Sequence, residues 1–440
     1  MSETERAQPE TPTRDRLPRA LRPFRTRRYR VLAVALTLSL FGAGVWLVAV
    51  VFQIKQMGGG PIQVSVVATA NAVGLIIAVL LGGAIADRIP QKRILLTVEI
   101  VKGVLVSAIA MLAFTGALEV WHLAVVGFIL GIADGFFMPA YSAMLPAILP
   151  EQQLLAANGF EGMLRPAILQ AAGPATAGIL IAVFSPAAAF GIIALTQAVA
   201  IGCLIVLRGP ALRREVPTDR HPVVSLLIDV RDGFRYMVRT PWLLATLLYA
   251  CVLVLLIMGP FEVLLPFAVT EQTGGGAGSY ALVLGAFGVG GAIASIVVAS
   301  LRLPRRYLTV MNLLWGFGCI PLVLVGFTSS IWVMAVAAFF VGMTFSGASV
   351  IWGTLLQRRV PPSMLGRVSS LDFFVSLALM PVSMAVAGPL GEAVGYGPVF
   401  VVAGLVPPVL AIIAIVAARM PRDEIEHPLD VARSSRISTA

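Results

Sequence analysis

Twelve long apolar runs follow one another along the chain and constrain its fold more than any other feature. An apolar helix of roughly 20 residues crosses the hydrocarbon core of a bilayer. Outer-membrane barrels have alternating segments of about ten residues instead, so a barrel is excluded. We predict an all-α integral membrane protein with twelve transmembrane helices, TM1–TM12, at approximately 31–54, 62–86, 94–115, 121–146, 160–184, 187–207, 242–269, 279–301, 308–327, 331–356, 371–394 and 398–419.

One long joint divides these spans into two sets of six. The expected organisation is an N-terminal arm (1–30), a first six-helix half (31–207), a linker (208–241), a second half (242–419) and a C-terminal tail (420–440). Apolar residues recur in the linker every three or four positions, which favours an amphipathic helix on the membrane surface. A polar connector with some helix is the alternative. The apolar positions are Val223, Leu227, Val230, Phe234 and Met237.

Basic residues predict the orientation. With an inside N-terminus, 29 of the 32 Lys and Arg residues fall in the arm, the inner joints, the linker and the tail. Lys55 is the only one in an outer joint, and Lys102 and Arg165 lie within TM3 and TM5. Cytoplasmic loops accumulate Lys and Arg, so both termini are expected in the cytoplasm. The formal charge of +10 is therefore a topology signal, and nucleic acid is not an expected partner.

The two halves resemble each other in sequence. At an offset of 211, the segments at 145–161 and 356–372 align, and Glu161 meets Asp372. At an offset of 214, the joint after TM2 aligns with the joint after TM8, where Arg88 meets Arg302. Duplicated halves around a central substrate path are typical of secondary carriers.

The joint after TM2 reads GGAIADRIPQKR, from Gly82 to Arg93. It resembles the loop signature between helices 2 and 3 of the major facilitator superfamily, whose fold has twelve helices in two pseudo-symmetric halves. In that family the loop latches the halves together on the cytoplasmic side, with its acidic residue set against the start of TM11. The resemblance implies a gate made of Gly83, Asp87, Arg88, Arg93, Glu161, Arg165 and Asp372. A positive-inside turn without a gating role is the alternative.

TM5 contains AAGPATAG at 171–178, which is similar to the Gly-Pro signature of the superfamily's antiporters. Pro174 removes a backbone donor and kinks the helix, while Gly173 and Gly178 allow close helix contact. Ala177 stands where the family usually has another Gly. The signature implies export in preference to import.

The wider pattern, over roughly 25–420, resembles bacterial drug and siderophore exporters that include enterobactin and macrolide exporters. One departure concerns proton coupling. Many drug–proton antiporters carry an Arg in TM4, but this TM4 has no basic residue, and Gly127 stands near that place. A relay built on that Arg is therefore not transferred to this chain.

Two carboxylates lie deep within predicted spans, where an ionised side chain costs about 2.5–3.5 kcal/mol. Asp134 is near the centre of TM4, and Glu262 lies in TM7 between Pro260 and Pro266. Proline interrupts helical backbone, and such backbone at membrane depth lines cavities. Asp134 is our first candidate for proton coupling, and Glu262 is the second or a counter-charge for cationic substrates. A purely structural role is the alternative for each.

Two pairs of opposite charge share helix faces. Glu99 and Lys102 on TM3 are expected to form a local ion pair. Glu161 and Arg165 on TM5 could pair in the same way or belong to the gate. Residues that could line the substrate cavity or simply pack between helices are Asn71, Asp134, Gln170, Tyr249, Glu262 and Trp352.

The sequence thus predicts a proton-coupled antiporter of the bacterial inner membrane that exports hydrophobic or amphipathic compounds such as drugs, antibiotics or siderophores. Two alternatives are a nutrient or lipid carrier, with import as one of its two directions, and a membrane sensor that no longer transports. A nucleotide-binding loop and an enzyme-like constellation are missing from the sequence. The expected partners are a small-molecule substrate, protons and the lipid bilayer, for a monomer without a metal or cofactor.

Overall fold

The computed structural model describes residues 19–86, 89–207, 222–301 and 303–429. Within these residues, twelve helical spans are long and apolar enough to cross a membrane, which confirms the predicted number. Unbroken helices form TM1 (Arg27–Gln56), TM2 (Pro61–Ala86), TM3 (Gln91–Thr115), TM4 (Val120–Ile148), TM6 (Pro186–Val206), TM8 (Ala277–Ser300), TM10 (Ile331–Arg359) and TM12 (Tyr396–Ala417). The other spans consist of consecutive segments.

Proline and glycine account for the segmented spans. TM5 runs through Glu151–Leu164, a π-helix at Arg165–Ala172, and Gly173–Val183. TM7 runs through Pro241–Gly259, a π-helix at Pro260–Leu264, and Leu265–Thr273. TM9 comprises Tyr307–Phe317 and Leu322–Val325, and TM11 comprises Pro362–Leu377 and Met380–Val394. Each π-helix adjoins a Gly-Pro pair, because a missing proline N–H shifts the local hydrogen-bond register.

Both halves use the same helix contacts. TM2 packs along TM4, and TM8 packs along TM10. In the first pair, a Cβ on Gly131 would meet the Asn71 carbonyl; in the second, a Cβ on Gly342 would meet the Phe287 carbonyl. Glycine lets helix backbones approach closely in a membrane. The repeated arrangement supports the internal repeat that the sequence indicates.

The halves meet through TM2 with TM11 and through TM5 with TM8. We call the bundle end that carries the linker the linker side and the opposite end the far side. On the far side, the Gly388 N–H donates to Ser65 Oγ at 2.7 Å, and the Ile62 N–H donates to Glu392 Oε1 at 3.3 Å. Lys55 Nζ of TM1 also donates to Thr270 Oγ1 of TM7. These three hydrogen bonds, which we call the far-side clasp, join the halves at that end.

Two shorter helices pack on the linker side of the second half. The linker helix spans Pro222–Arg239, and Asp232 Oδ2 lies 3.2 Å from Arg367 Nη1 at the start of TM11. Its placement on the membrane surface stays a prediction. The C-terminal helix, Met420–Glu426, is held by Arg359, whose guanidinium donates to both Asp423 carboxylate oxygens at 2.8 and 3.2 Å. Both helices therefore fasten the ends of TM10 and TM11.

Candidate functional site

Four polar residues meet inside the first half and form what we call the central charge cluster. Ser39 comes from TM1, Glu99 and Lys102 from TM3, and Asp134 from TM4. Glu99 is 0% exposed and Lys102 is 5% exposed, whereas the Asp134 side chain is 46% exposed. Asp134 is thus the most exposed of the three ionisable residues in the cluster.

A chain of contacts connects the cluster. The Ser39 hydroxyl donates to Glu99 Oε1 at 2.7 Å, and Lys102 Nζ reaches Ser39 Oγ at 3.5 Å. Lys102 Nζ also donates to Asp134 Oδ1 and forms an ion pair with it. The Phe137 ring, whose centroid is 5.2 Å from Nζ, covers the ammonium group.

The expected local ion pair between Glu99 and Lys102 is therefore wrong. Lys102 pairs across the helix interface with Asp134, and Ser39 stands between the ammonium and the Glu99 carboxylate. Spacing of three places Glu99 and Lys102 on one face of TM3, but this face is covered by TM1 and TM4, whose polar side chains compete for the ammonium. Intrahelical spacing alone cannot reveal such a competitor.

The charges in the cluster do not balance when all three groups are ionised. Two carboxylates and one ammonium carry a net charge of −1, and a buried net charge is strongly unfavourable. Glu99 Oε2 is buried and has no hydrogen-bond partner among the described residues. One bound proton would neutralise the cluster, so its composition suits reversible proton uptake.

Glu262 lies apart from this cluster, in the second half. It occupies the π-helix of TM7 and is partly buried. The described side chains offer it no hydrogen bond or ion pair. Phe261 beside it packs against Phe287 of TM8, with ring centroids 4.8 Å apart and the ring planes tilted by 49°. A carboxylate next to aromatic rings can bind the cationic end of an amphipathic molecule.

The Gly-Pro signature of TM5 makes close contacts on two sides. A Cβ added to Gly44 of TM1 would lie 2.5 Å from the Leu169 carbonyl oxygen and 3.1 Å from Gly173 Cα. A Cβ added to Gly178 would lie 2.7 Å from Ala281 Cβ of TM8. Gly173 and Pro174 are buried, and the π-helix precedes them. The signature therefore packs TM5 against its own half and against the opposite half.

The structure describes only part of the predicted gate. Asp87 and Arg88 lie outside the described residues, and of Gly83 only the helical backbone is described. Arg93 is exposed at the start of TM3. Glu161 and Arg165 are both partly buried, and no ion pair joins them. The latch interaction stays a prediction.

Asp372 has partners within the second half. Trp352 Nε1 of TM10 donates to Asp372 Oδ2 at 3.0 Å, and the Ser376 hydroxyl donates to Oδ1 at 3.2 Å. Trp352 also packs edge-on against Trp242 of TM7, with ring centroids 6.3 Å apart. Asp372 thus connects the start of TM11 to TM7 and TM10 through Trp352.

The remaining predicted cavity residues have different environments. Asn71 donates from Nδ2 to the Gly127 carbonyl oxygen at 3.0 Å, so it holds TM2 against TM4. Tyr249 is 4% exposed, and its hydroxyl has no partner among the described residues. Gln170 lies in the π-helix of TM5, whose backbone meets Gly288 of TM8. Whether a substrate touches any of them stays a prediction.

Sequence reasoning missed Ser39 and the far-side clasp. Ser39 is one of two hydroxyl residues, with Thr37, in the apolar run of TM1, and nothing in its spacing distinguishes it. Lys55 carried a signal, because it is the only basic residue of an outer joint. Its ammonium lies 5.0 Å from the Phe267 ring centroid in addition to its bond to Thr270.

Comparisons with known proteins agree with this architecture. A family model described as transmembrane secretion effector matches residues 19–436. The multidrug efflux pump Tap of Mycolicibacterium fortuitum is 25% identical over 403 residues, which cover 89% of this chain and 95% of the pump. Macrolide efflux protein A of Streptococcus pyogenes is 23% identical over 372 residues, which cover 83% of this chain and 90% of that protein.

Solved transporter structures share the fold. The nucleoside transporter NupG superimposes with a TM-score of 0.70 at 10% identity, over 88% of this chain and 99% of NupG. A POT family transporter in complex with 5-aminolevulinic acid gives a TM-score of 0.69 at 14% identity, over 89% of this chain and 96% of that transporter. At these identities the likeness concerns the fold alone.

Proposed function

Because the chain belongs to the transmembrane secretion effector family of the major facilitator superfamily, we propose that it exports hydrophobic or amphipathic drugs across a bacterial inner membrane. The observation that carries this proposal is its similarity, over most of its length, to relatives named as multidrug and macrolide efflux pumps. The antiporter-like packing of Gly173 and Gly178 supports outward transport.

The orientation follows from charge. The start of TM1, the linker helix and the C-terminal helix belong to one end of the bundle, the sequence concentrates its Lys and Arg in the segments that adjoin this end, and Lys and Arg are retained in the cytoplasm. The linker side is therefore cytoplasmic and the far side faces outward. The far-side clasp then closes the outer end, so release of substrate to the outside requires Lys55, Ser65 and Glu392 to part from their partners in the opposite half.

Export is driven by an inward flow of protons, and Asp134 is the coupling carboxylate. Its half-exposed side chain can exchange protons with water, and the ion pair with Lys102 links that exchange to the packing of TM3 against TM4. Proton uptake at Asp134 removes the attraction to Lys102. A change in helix packing can thus follow from a change in charge.

The substrate side of the mechanism rests on Glu262. A cationic amphiphile would place its charge near this carboxylate and its apolar part against Phe261 and Phe287. Macrolides and many dyes carry one basic nitrogen on a large apolar body and fit this description. Neutral siderophores and tetracyclines test whether the charge is required.

A transport screen in proteoliposomes tests the proposal. Purified protein is reconstituted, a pH gradient is imposed, and dyes, macrolides, tetracyclines and siderophores are offered in turn. We expect a cationic amphiphile to accumulate on the acidic side. Accumulation on the alkaline side would identify a symporting importer, and no flux of any compound under a gradient would contradict transport altogether.

A further inference from the structure

We propose that Glu99 holds the exchangeable proton of the central charge cluster, and that Lys102 switches between the carboxylates of Asp134 and Glu99 as the proton leaves. This inference deepens the proposed proton coupling and rests on it. It gives Glu99, a residue that sequence spacing assigns to a passive ion pair, the central place in the cycle.

Burial distinguishes the two carboxylates. Glu99 is 0% exposed, and its Oε2 has no hydrogen-bond partner among the described residues, whereas Asp134 is half exposed and bonded to Lys102. An ionised carboxylate with one bare oxygen in an apolar interior is the less stable of the two ions. The neutral state of the cluster therefore has its proton on Glu99, while Asp134 and Lys102 form the ion pair.

Among the described residues, no other charged group of the packed elements forms a hydrogen bond or ion pair with the cluster. TM6 packs on TM3, and its sequence from 186 to 206 contains no Asp, Glu, Lys or Arg. Its thiol, Cys203, and the buried hydroxyl of Tyr141 on TM4 form no hydrogen bond with the cluster. TM1 contributes Ser39, which bonds to Glu99 and does not ionise. Proton exchange is thus confined to Glu99, Lys102 and Asp134.

The contacts define a route. In the structure the Ser39 hydroxyl donates to Glu99 Oε1, and Lys102 Nζ donates to Ser39 Oγ. Transfer begins when Lys102 gives a proton from Nζ to Asp134 Oδ1 and becomes a neutral amine. The Ser39 hydroxyl then turns toward this amine, gives it its proton and accepts the acid proton of Glu99 on Oγ. In total, the O–H bond of the Glu99 acid breaks and an O–H bond forms on Asp134. Lys102 ends as an ammonium ion, now attracted to the Glu99 carboxylate. Asp134 then releases its proton to water through its exposed face.

The structural consequence is a movement of Lys102. With the proton on Asp134, the ammonium leaves TM4 and stays within reach of TM3 and TM1. The interface between TM3 and TM4 loses its ion pair in this state and regains it when Glu99 takes up the next proton. The position of the proton in the first half thereby determines whether an ion pair joins TM3 to TM4.

Glu99→Gln tests the inference, because glutamine keeps an acceptor for Ser39 but cannot ionise. Wild-type protein, Glu99→Gln and the control Glu426→Gln are reconstituted with ethidium as the probe. Glu426 lies in the exposed C-terminal helix and pairs only locally with Arg422, at 3.0 Å. Two processes are measured: ethidium accumulation driven by a pH gradient of one unit at zero membrane potential, and ethidium exchange without a gradient.

We expect wild type and Glu426→Gln to concentrate ethidium about tenfold for each coupled proton, since one pH unit corresponds to a factor of ten. Glu99→Gln should exchange ethidium at a similar rate and reach a concentration ratio near one. Gradient-driven accumulation by Glu99→Gln at the wild-type level would overturn the inference and leave proton-coupled export intact. If the wild-type protein does not accumulate ethidium in response to the pH gradient, the proposed proton-coupled export is wrong instead.

A spectroscopic measurement needs no substrate and guards against misfolding. Infrared difference spectra of reconstituted wild type between acidic and alkaline pH should contain the C=O band of one buried carboxylic acid. The band should disappear in Glu99→Gln and persist in Glu426→Gln, and Glu99→Asp should restore it with a shift. Persistence of the band in Glu99→Gln would contradict the assignment of the proton to Glu99.

Discussion

Lys102→Met gives the sharpest test of how the central charge cluster stabilises the first half. Methionine approximates the length of lysine and packs against Phe137, so the substitution removes charge while it retains most of the volume. It deletes the ion pair with Asp134 and the contact with Ser39. Two carboxylates are then left beside each other without a cation.

The magnitude follows from burial. Removal of one partner from a buried ion pair costs about 3–5 kcal/mol. Lys102 is 5% exposed, but water reaches the half-exposed Asp134 and screens its charge. The expected loss in free energy of unfolding is therefore about 2–3 kcal/mol. The double variant Lys102→Met with Asp134→Asn removes both charges and should recover about 1–2 kcal/mol of that loss.

Unfolding by SDS in mixed micelles, followed by tryptophan fluorescence, measures these free energies. Arg422→Met is the matched control, because Arg422 and Glu426 form an exposed pair whose loss should change stability by less than about 0.5 kcal/mol. A Lys102→Met protein as stable as the control would refute the reasoning. Strict additivity of the two losses in the double variant would do the same.

Three further predictions concern coupling, packing and the outer closure. Asp134→Asn should abolish gradient-driven efflux in proteoliposomes while gradient-free exchange persists, because the residue that meets water can no longer carry a proton; normal uphill efflux would remove it from the mechanism. Gly44→Val should reduce folded yield and transport, since even a Cβ would lie 2.5 Å from the Leu169 carbonyl oxygen, whereas Gly162→Ala, which meets open space, should be silent in a detergent thermal-stability assay. Lys55→Met should loosen the far-side clasp and increase modification, by a membrane-impermeant thiol reagent, of a cysteine substituted for the buried Val64 beside Ser65; unchanged modification would argue against a closing role.

The number and order of the helices could be predicted because each membrane-spanning helix needs its own continuous apolar run of roughly 20 residues. TM7 illustrates the limit: its apolar run is evident, and Pro260 and Pro266 indicate an interruption, but the sequence does not specify that this interruption is a π-helix packed against TM11. Gly274, which follows TM7, has a φ of 68°, which glycine adopts without strain. Local features of the backbone, such as a helix interruption at proline, can thus be predicted from the local sequence.

The candidate site could be predicted only in part, because its contacts join distant helices. Asp134 was recognisable as a charge at membrane depth. Its partner Lys102 was visible too, but the sequence paired it with Glu99, its neighbour by helical spacing, while the fold brings TM4 and Ser39 of TM1 to the same place. The residue that completes the chain of contacts is a single serine, which no periodicity distinguishes.

The central claim is that this chain exchanges inward protons for an outward amphiphile through the cluster of Glu99, Lys102 and Asp134. Uphill movement of ethidium in proteoliposomes, measured with the pH gradient imposed first in one direction and then in the other, tests it most directly. The account predicts that ethidium accumulates on whichever side is acidic. Accumulation on the alkaline side, or indifference to reversal of the gradient, would contradict it.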